Sequence, residues 1–233
     1  LACAFKSLGF KTCLLDADIY GPSVPKMIGV NEKPSSDGEK IETIDRYGIS
    51  TMSMGYMVND ENPIIWRGLM VMKAINELID KVNWGDADIM VIDLPPGTGD
   101  VQLSLIQKIN ISGSVIVTTP QDIALIDVVR GLKMFEKTKV PILGIVENMS
   151  YFLAPDTGKE YSLYGKSKTK EIAEKYDYEI LANLPHDPLL MEQSDKGHPL
   201  TDLVPDHKVS KIFNELAESL IKRLKLEKLS NTN

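Results

Sequence analysis

Three aspartates stand where apolar runs give way to polar loops. Asp93 closes the run Asp88-Ile89-Met90-Val91-Ile92 and is followed by Leu94, Pro95, Pro96, Gly97, Thr98 and Gly99. Asp16 closes Cys13-Leu14-Leu15, and Asp18 follows two residues later, ahead of Tyr20, Gly21 and Pro22. Mg²⁺ keeps several waters and takes hard oxygen ligands, so one carboxylate at a rigid strand end can hold its shell. Asp93 suits that role. Gly97 and Gly99 would let backbone N–H groups approach a phosphate closely. If Asp16 is the last residue of its strand, Asp18 already lies in the loop and is free to orient a water. A single aspartate of this kind reads first as a turn or helix cap. Two acidic strand ends beside a Gly-Pro loop point instead to a Mg²⁺–nucleotide site.

Such groups meet only if the elements before them are aligned. Residues 11–16, 49–54, 88–93, 113–118, 141–146 and 179–183 read as strands. Helical spacing runs through 1–8 (a helix end, stopped by Gly9), 68–82, 123–137, 167–176 and 209–226, with a long loop from 147 to 165. The strands are apolar on both faces and alternate with helices, which argues for an α/β fold: a doubly wound, mostly parallel sheet with helices on both faces. Right-handed crossovers place the strand C-termini along one edge, where such sheets bind ligands. The loops after Asp16, Asp93, Thr118, Val146 and Asn183 are therefore expected to converge on one crevice.

The 233 residues suit a single domain. The net charge of −7, from 26 basic and 33 acidic residues, gives no global electrostatic reason to bind nucleic acid. No apolar run has the length of a membrane span. The two cysteines, Cys3 and Cys13, form no CxxC and read as buried free thiols in a reducing compartment, with the cytoplasm as the expected location.

The segments LLDADIYGPSVPKMIG (14–29), WRGLMV (66–71), VIDLPPGTGDVQLSL (91–105), TTPQDIALIDVVRG (118–131) and VENMSYF (146–152) resemble, in order, the Mrp (ApbC-type) iron–sulfur cluster carriers. These are deviant P-loop ATPases related to MinD and ParA. The resemblance implies an ATPase that delivers iron–sulfur clusters to apoproteins and works as a homodimer with ATP and Mg²⁺. By the same resemblance, Asp93 matches the Walker B aspartate, and Gly97 and Gly99 belong to switch II. Asp18 matches the switch I aspartate that positions the attacking water, with Asp16 beside it near the metal. Asn148 matches an asparagine that reads the adenine edge, and the Pro185 loop resembles the segment against the base.

Two departures from that family pattern stand out. The GKGGVGKS/T phosphate loop is absent, and in relatives it lies a short distance upstream of the position of Leu1. The chain is therefore expected to be an N-terminally incomplete domain over 1–233, lacking the central first strand and the phosphate loop. The second departure is at the cluster site. Many relatives carry CPxC after NMSYF, whereas Ala154 and Thr157 stand at the two cysteine positions here. Neither a methyl nor a hydroxyl replaces a thiolate on a soft iron cluster, so no cluster ligand is identified in this loop.

Other features have plainer readings. His186, His198 and His207 match no metal spacing. Met52, Met54 and Met57 suit core gap-filling. Trp66 and Arg67 open a helix after a loop; they belong to a signature segment of the resembled family, and a packing Trp beside a solvent-facing Arg is equally compatible. The amphipathic pattern of Ile212, Phe213, Leu216, Leu220 and Leu224 suits a helix covering the domain better than one lying on a membrane. The competing function is a nucleotide-switched positioning ATPase of the MinD/ParA type, acting on membrane or DNA with the same core.

Overall fold

The computed structural model describes residues 1–57, 68–154 and 156–226. Trp66 and Arg67 lie outside them. The described strands are β1 (Thr12–Asp16), β2 (Ile41–Glu42), β3 (Ile44–Arg46), β4 (Ile49–Ser53), β5 (Val82–Asn83), β6 (Ile89–Asp93), β7 (Ser114–Thr118), β8 (Ile142–Glu147), β9 (Phe152–Leu153), β10 (Glu160–Tyr161) and β11 (Ile180–Asn183). The helices are α1 (Ala2–Ser7), α2 (Val24–Met27), α3 (Gly68–Asp80), α4 (Asp100–Lys108), α5 (Asp122–Thr138), α6 (Thr169–Tyr176), α7 (Pro188–Asp195), α8 (Leu200–Leu203) and α9 (Lys208–Leu224). They belong to two compact units, one of residues 1–96 with 190–210, the other of residues 97–189 with 211–226.

In the first unit the sheet order is β3-β4-β1-β6, parallel except for β3. Its register sets Asp16 beside both Ser53 and Asp93, so three strand ends finish level. Leu15, Ile49 and Met52 are fully buried, and α1 packs against β1 and β4 through Ala2 and Cys3, which meet Ile49, Leu14 and Val91. Burying each such side chain is worth roughly 1.5–3 kcal/mol, which fixes the strands under the site. β3 joins antiparallel through a tight turn with positive φ at both Tyr47 and Gly48, the geometry that matches strand twist. That strand was not read from sequence, because Ile44-Asp45-Arg46 carries one apolar residue in three. β6 ends the described sheet: β1 is its one described partner, and its apolar residues are half-exposed.

A backbone contact steadies the loop after β1. Gly29, just beyond α2, lies against Gly197, with φ of +64° and +75°. A Cβ on Gly197 would stand 2.4 Å from the Cα of Gly29, so only glycine permits the approach. Tyr47 donates its hydroxyl to the carbonyl of Gly197 at 2.7 Å and closes the same corner.

In the second unit the order is β11-β8-β7, all parallel, with α5 against β7 and β8. Thr118, Glu147 and Asn183 finish level. β7 is an edge strand of this sheet, and its Val117 is 64% exposed. The segment expected as one long loop contains the hairpin β9–β10, whose two-residue strands are too short to show alternation. Helix α4 was also missed from sequence. Its Gly-Pro-rich approach resembles a continuing loop, and only Asp100 in the first turn marks the start. In α9, Leu216, Ala217 and Leu220 are buried, so the amphipathic helix spends its apolar face on packing. No described helix is long and apolar enough to cross a membrane.

Candidate functional site

The first unit brings three predicted aspartates together. Asp16 closes β1 and is 1% exposed. Its Oδ2 accepts from the Ser53 hydroxyl at 2.8 Å and the Val24 N–H at 3.3 Å, and its Oδ1 from the Asp18 N–H at 3.2 Å. Both oxygens are thus taken up in shaping the loop that follows. Burial pushes its carboxyl up to about 6, against the Ser53, Val24 and Asp18 donors that favour the charged form. Nearby Asp93 adds to the upward push.

Asp18 lies in the loop, as its spacing from Asp16 suggested. Its Oδ1 accepts the N–H groups of Tyr20 and Gly21 at 3.2 and 3.3 Å, an arrangement that turns the chain, and its charge is felt at Asp93. Asp93 closes β6 in register with Asp16, and its carbonyl receives the Ala17 N–H at 2.9 Å. The Asp93 side chain is exposed and accepts no hydrogen bond among the described residues. Desolvation by the surrounding chain raises its carboxyl pKa, and the charge of Asp18 raises it further, although solvent on its open flank damps both. Ser53 is the residue the sequence reading missed. It ends β4, is fully buried, and its Oγ also receives the Gly55 N–H at 2.9 Å. A serine at the end of a weak strand gives no signal until register places it beside Asp16.

The second unit carries the other predicted residues. Gly97 is exposed with φ +94°, and Gly99 is the N-cap of α4, with no side-chain cap on the first turn. Asn148 follows β8. Its N–H donates to the Thr118 carbonyl at 2.7 Å, and its Oδ1 accepts the Met149 N–H at 3.0 Å. A backbone N–H requires an acceptor, so the Asn148 amide is held with its NH₂ as the free end. Pro185 is buried after β11, between Leu184, whose carbonyl accepts from Ser150 at 2.8 Å, and His186, whose N–H donates to Tyr151 at 2.7 Å. The Asn148 and Pro185 segments are therefore neighbours.

The hairpin loop at the expected cluster position closes on itself. Ala154 is buried and exchanges backbone hydrogen bonds with Gly158 and Lys159, and Thr157 is exposed, its hydroxyl near Asp156. Among the described residues no group of three or more His, Cys, Asp or Glu side chains could hold a metal ion. Mg²⁺ does not need one, because water and phosphate oxygens complete its shell around one or two carboxylates. The free, exposed Asp93 beside a buried second carboxylate fits that requirement.

Comparison with known proteins gives the family and the fold. The family model described as ParA, NUBPL iron-transfer P-loop NTPase, matches residues 1–221. The chain belongs to this family. Among its relatives, an iron–sulfur cluster carrier protein of Aquifex aeolicus is 45% identical over 223 residues, covering 94% of this chain and 61% of that protein. An Arabidopsis thaliana protein named as an iron–sulfur protein required for NADH dehydrogenase, mitochondrial, is 45% identical over 216 residues, covering 92% and 69%. The chain thus spans about three fifths of the length of the bacterial carrier it matches. Among solved structures, a nucleotide-binding protein of Archaeoglobus fulgidus in complex with ADP is 38% identical, with a TM-score of 0.72 over 84% of this chain and 77% of that one. MinD of Pyrococcus horikoshii, complexed with Mg-ADP, is 20% identical with a TM-score of 0.67, covering 95% and 88% of the two chains. At that identity it supports the α/β P-loop NTPase fold alone.

Proposed function

We propose that this chain is the larger part of an ATP-binding, weakly ATP-hydrolysing domain of a protein that delivers iron–sulfur clusters to apoproteins. The observation that carries this reading is the level finish of β1, β4 and β6, with Asp16, Ser53 and Asp93 side by side and Asp18 on the following loop. Mg²⁺, when bound, supplies the positive charge that neutralises the phosphates. Asp93 would hold part of its hydration shell. Asp16, the buried carboxylate beside it, shapes the loop through the hydrogen bonds it accepts from Ser53, Val24 and Asp18. Asp18 orients the attacking water through its Oδ2, which accepts no hydrogen bond among the described residues. The N–H groups at Gly97 and Gly99 serve the γ-phosphate, and Asn148 and the Pro185 segment serve the base. A further strand beside β6, of the kind that carries the family's phosphate loop, completes the phosphate contacts. The half-exposed apolar edge of β6 supports this, because a parallel strand apolar on both faces ordinarily has neighbours on both sides.

The protein works as a homodimer, in the cytoplasm, with apoproteins as clients. Relatives named as iron–sulfur cluster carriers support the cargo. Because Ala154 and Thr157 supply no thiolate, the cargo is held by groups outside the 154–158 loop. The test uses the full-length protein, anaerobically loaded with cluster, and an apo-ferredoxin as acceptor. ATP-stimulated transfer, diminished in Asp18→Ala, is the expected result. Transfer indifferent to both ATP and Asp18 would refute the proposed coupling, and ATP-dependent sedimentation with liposomes would instead favour a positioning ATPase.

A further inference from the structure

The second unit contains a buried carboxylate that the site described above does not use. Glu147 ends β8, is 4% exposed, and stands in register with Thr118 and Asn183. Its Oε1 accepts the Ser150 hydroxyl at 2.6 Å, and its Oε2 accepts the Ser167 hydroxyl. Ser167 in turn receives the N–H of Thr169, the buried first residue of α6, at 3.1 Å. One carboxylate therefore ties down both ends of an excursion that leaves the sheet at Asn148 and returns at α6. The excursion carries the β9–β10 hairpin and the exposed Leu153, Tyr161, Leu163 and Tyr164.

Asn148 and Met149 lie inside this clasp. Met149 has φ +54°, a left-handed conformation that side-chain-bearing residues adopt only when their surroundings hold them there. Asn148 uses its Oδ1 to receive the Met149 N–H. The direction of the Asn148 amide thus depends on the Met149 backbone, and that backbone depends on the residues fixed on either side. A carboxylate accepting two hydroxyls at a buried strand end is a costly group to keep unless its geometry serves something.

We infer that Glu147 is a positioning residue for nucleotide binding: through Ser150 and Ser167 it holds Asn148 and the β9–β10 hairpin as one rigid piece. The inference rests on the reading of Asn148 as a base-contacting residue. It makes the hairpin and the nucleotide segment share one anchor, so that disturbing either is felt at the other.

The test compares Glu147→Ala, Glu147→Gln and Ser167→Ala in the full-length protein. The readouts are ATP affinity, kcat at saturating ATP, and amide hydrogen exchange. In Glu147→Ala, ATP affinity is expected to fall about tenfold with kcat at saturation retained, and exchange is expected to rise within 148–167 while β1 and β4 stay protected. Glu147→Gln should behave nearly as wild type, because the amide oxygen accepts one hydroxyl and the NH₂ donates to the other. Ser167→Ala should raise exchange at the hairpin with a smaller loss of affinity. Unchanged exchange in 148–167 would overturn the clasp, as would a rise spread evenly over the chain. If exchange rises locally but ATP affinity does not move, and Asn148→Ala is also silent, the base-contact reading of Asn148 fails. If Asn148→Ala weakens ATP while Glu147→Ala does not, the positioning role fails alone.

Discussion

On the proposed reading, Asp18 divides its two oxygens between structure and chemistry. Oδ1 holds the N–H groups of Tyr20 and Gly21, and Oδ2 remains for a water. In the full-length protein, Asp18→Ala is therefore expected to lower ATP hydrolysis by about 10²–10⁴-fold while ATP affinity changes only slightly, because phosphate contacts supply most of the binding. Phosphate release and equilibrium binding on the same preparation check this, and normal turnover would remove the assigned role. The cysteines give a second residue-scale prediction. Burial, with a contribution from Asp45, pushes the Cys13 thiol up to about 11 from its ordinary 9.0, and burial likewise raises Cys3. Because the folded value of Cys13 lies above the unfolded one, its contribution to stability is complete below the unfolded value and is lost as pH rises through about 11. At pH 8 the thiolate is about a hundredfold scarcer than in the unfolded chain, so both thiols should label far more slowly in native protein than in denaturant. Equal labelling rates would contradict their burial. At this scale Asp16, Asp18 and Asp93 were legible because an acid closing an apolar run is a pattern within one segment. Ser53 and Glu147 were not, since their partners lie 37 residues away, or 20 residues away across a loop.

Elements were legible where a single period ran long enough. Strands β1, β6, β7, β8 and β11 and helices α3, α5, α6 and α9 lie within a few residues of their expected bounds. The short pieces escaped, among them β3 and the β9–β10 hairpin, because two or three residues cannot show a period and their partners determine them. The Gly29–Gly197 contact is of the same kind: a glycine between Lys196 and His198 carries no local signal of what it touches. Its energetic weight can be measured. Gly197→Ala must strain a φ of +75° and displace backbone 2.4 Å from the new Cβ, and should cost at least about 3 kcal/mol. Gly158→Ala meets nothing within 4 Å at φ +67° and should cost only about 1–2 kcal/mol. Urea denaturation of both variants compares them, and equal costs would mean that the Gly29–Gly197 approach is not as drawn. Since α2 follows the loop that Asp16 shapes through the Val24 N–H, Gly197→Ala should also weaken Mg²⁺-dependent nucleotide binding.

At the scale of the whole molecule, the sequence motifs and the fold point the same way. The resemblance of 14–29, 91–105 and 118–131 to Mrp-type carriers predicted an α/β, largely parallel architecture, and the two larger sheets and the family match agree with it. The exposed strand-end carboxylate Asp93 and its neighbours repel a triphosphate unless Mg²⁺ and basic groups intervene. Anaerobic reconstitution of this chain with iron and sulfide is expected to give no stable cluster on residues 154–158. A stoichiometric cluster absorbance abolished by Ala154→Val or Thr157→Val would contradict that. The central claim, that the strand-end carboxylates Asp16, Asp18 and Asp93 belong to a Mg²⁺-ATP site that works with a phosphate loop of the family's kind, is tested most directly by titrating Mg²⁺-ATP into two proteins. One is the chain of 233 residues, and the other is the same protein extended upstream to the length of its relatives. The account predicts at least about hundredfold tighter binding by the extended protein. Equal affinity in the two would contradict it.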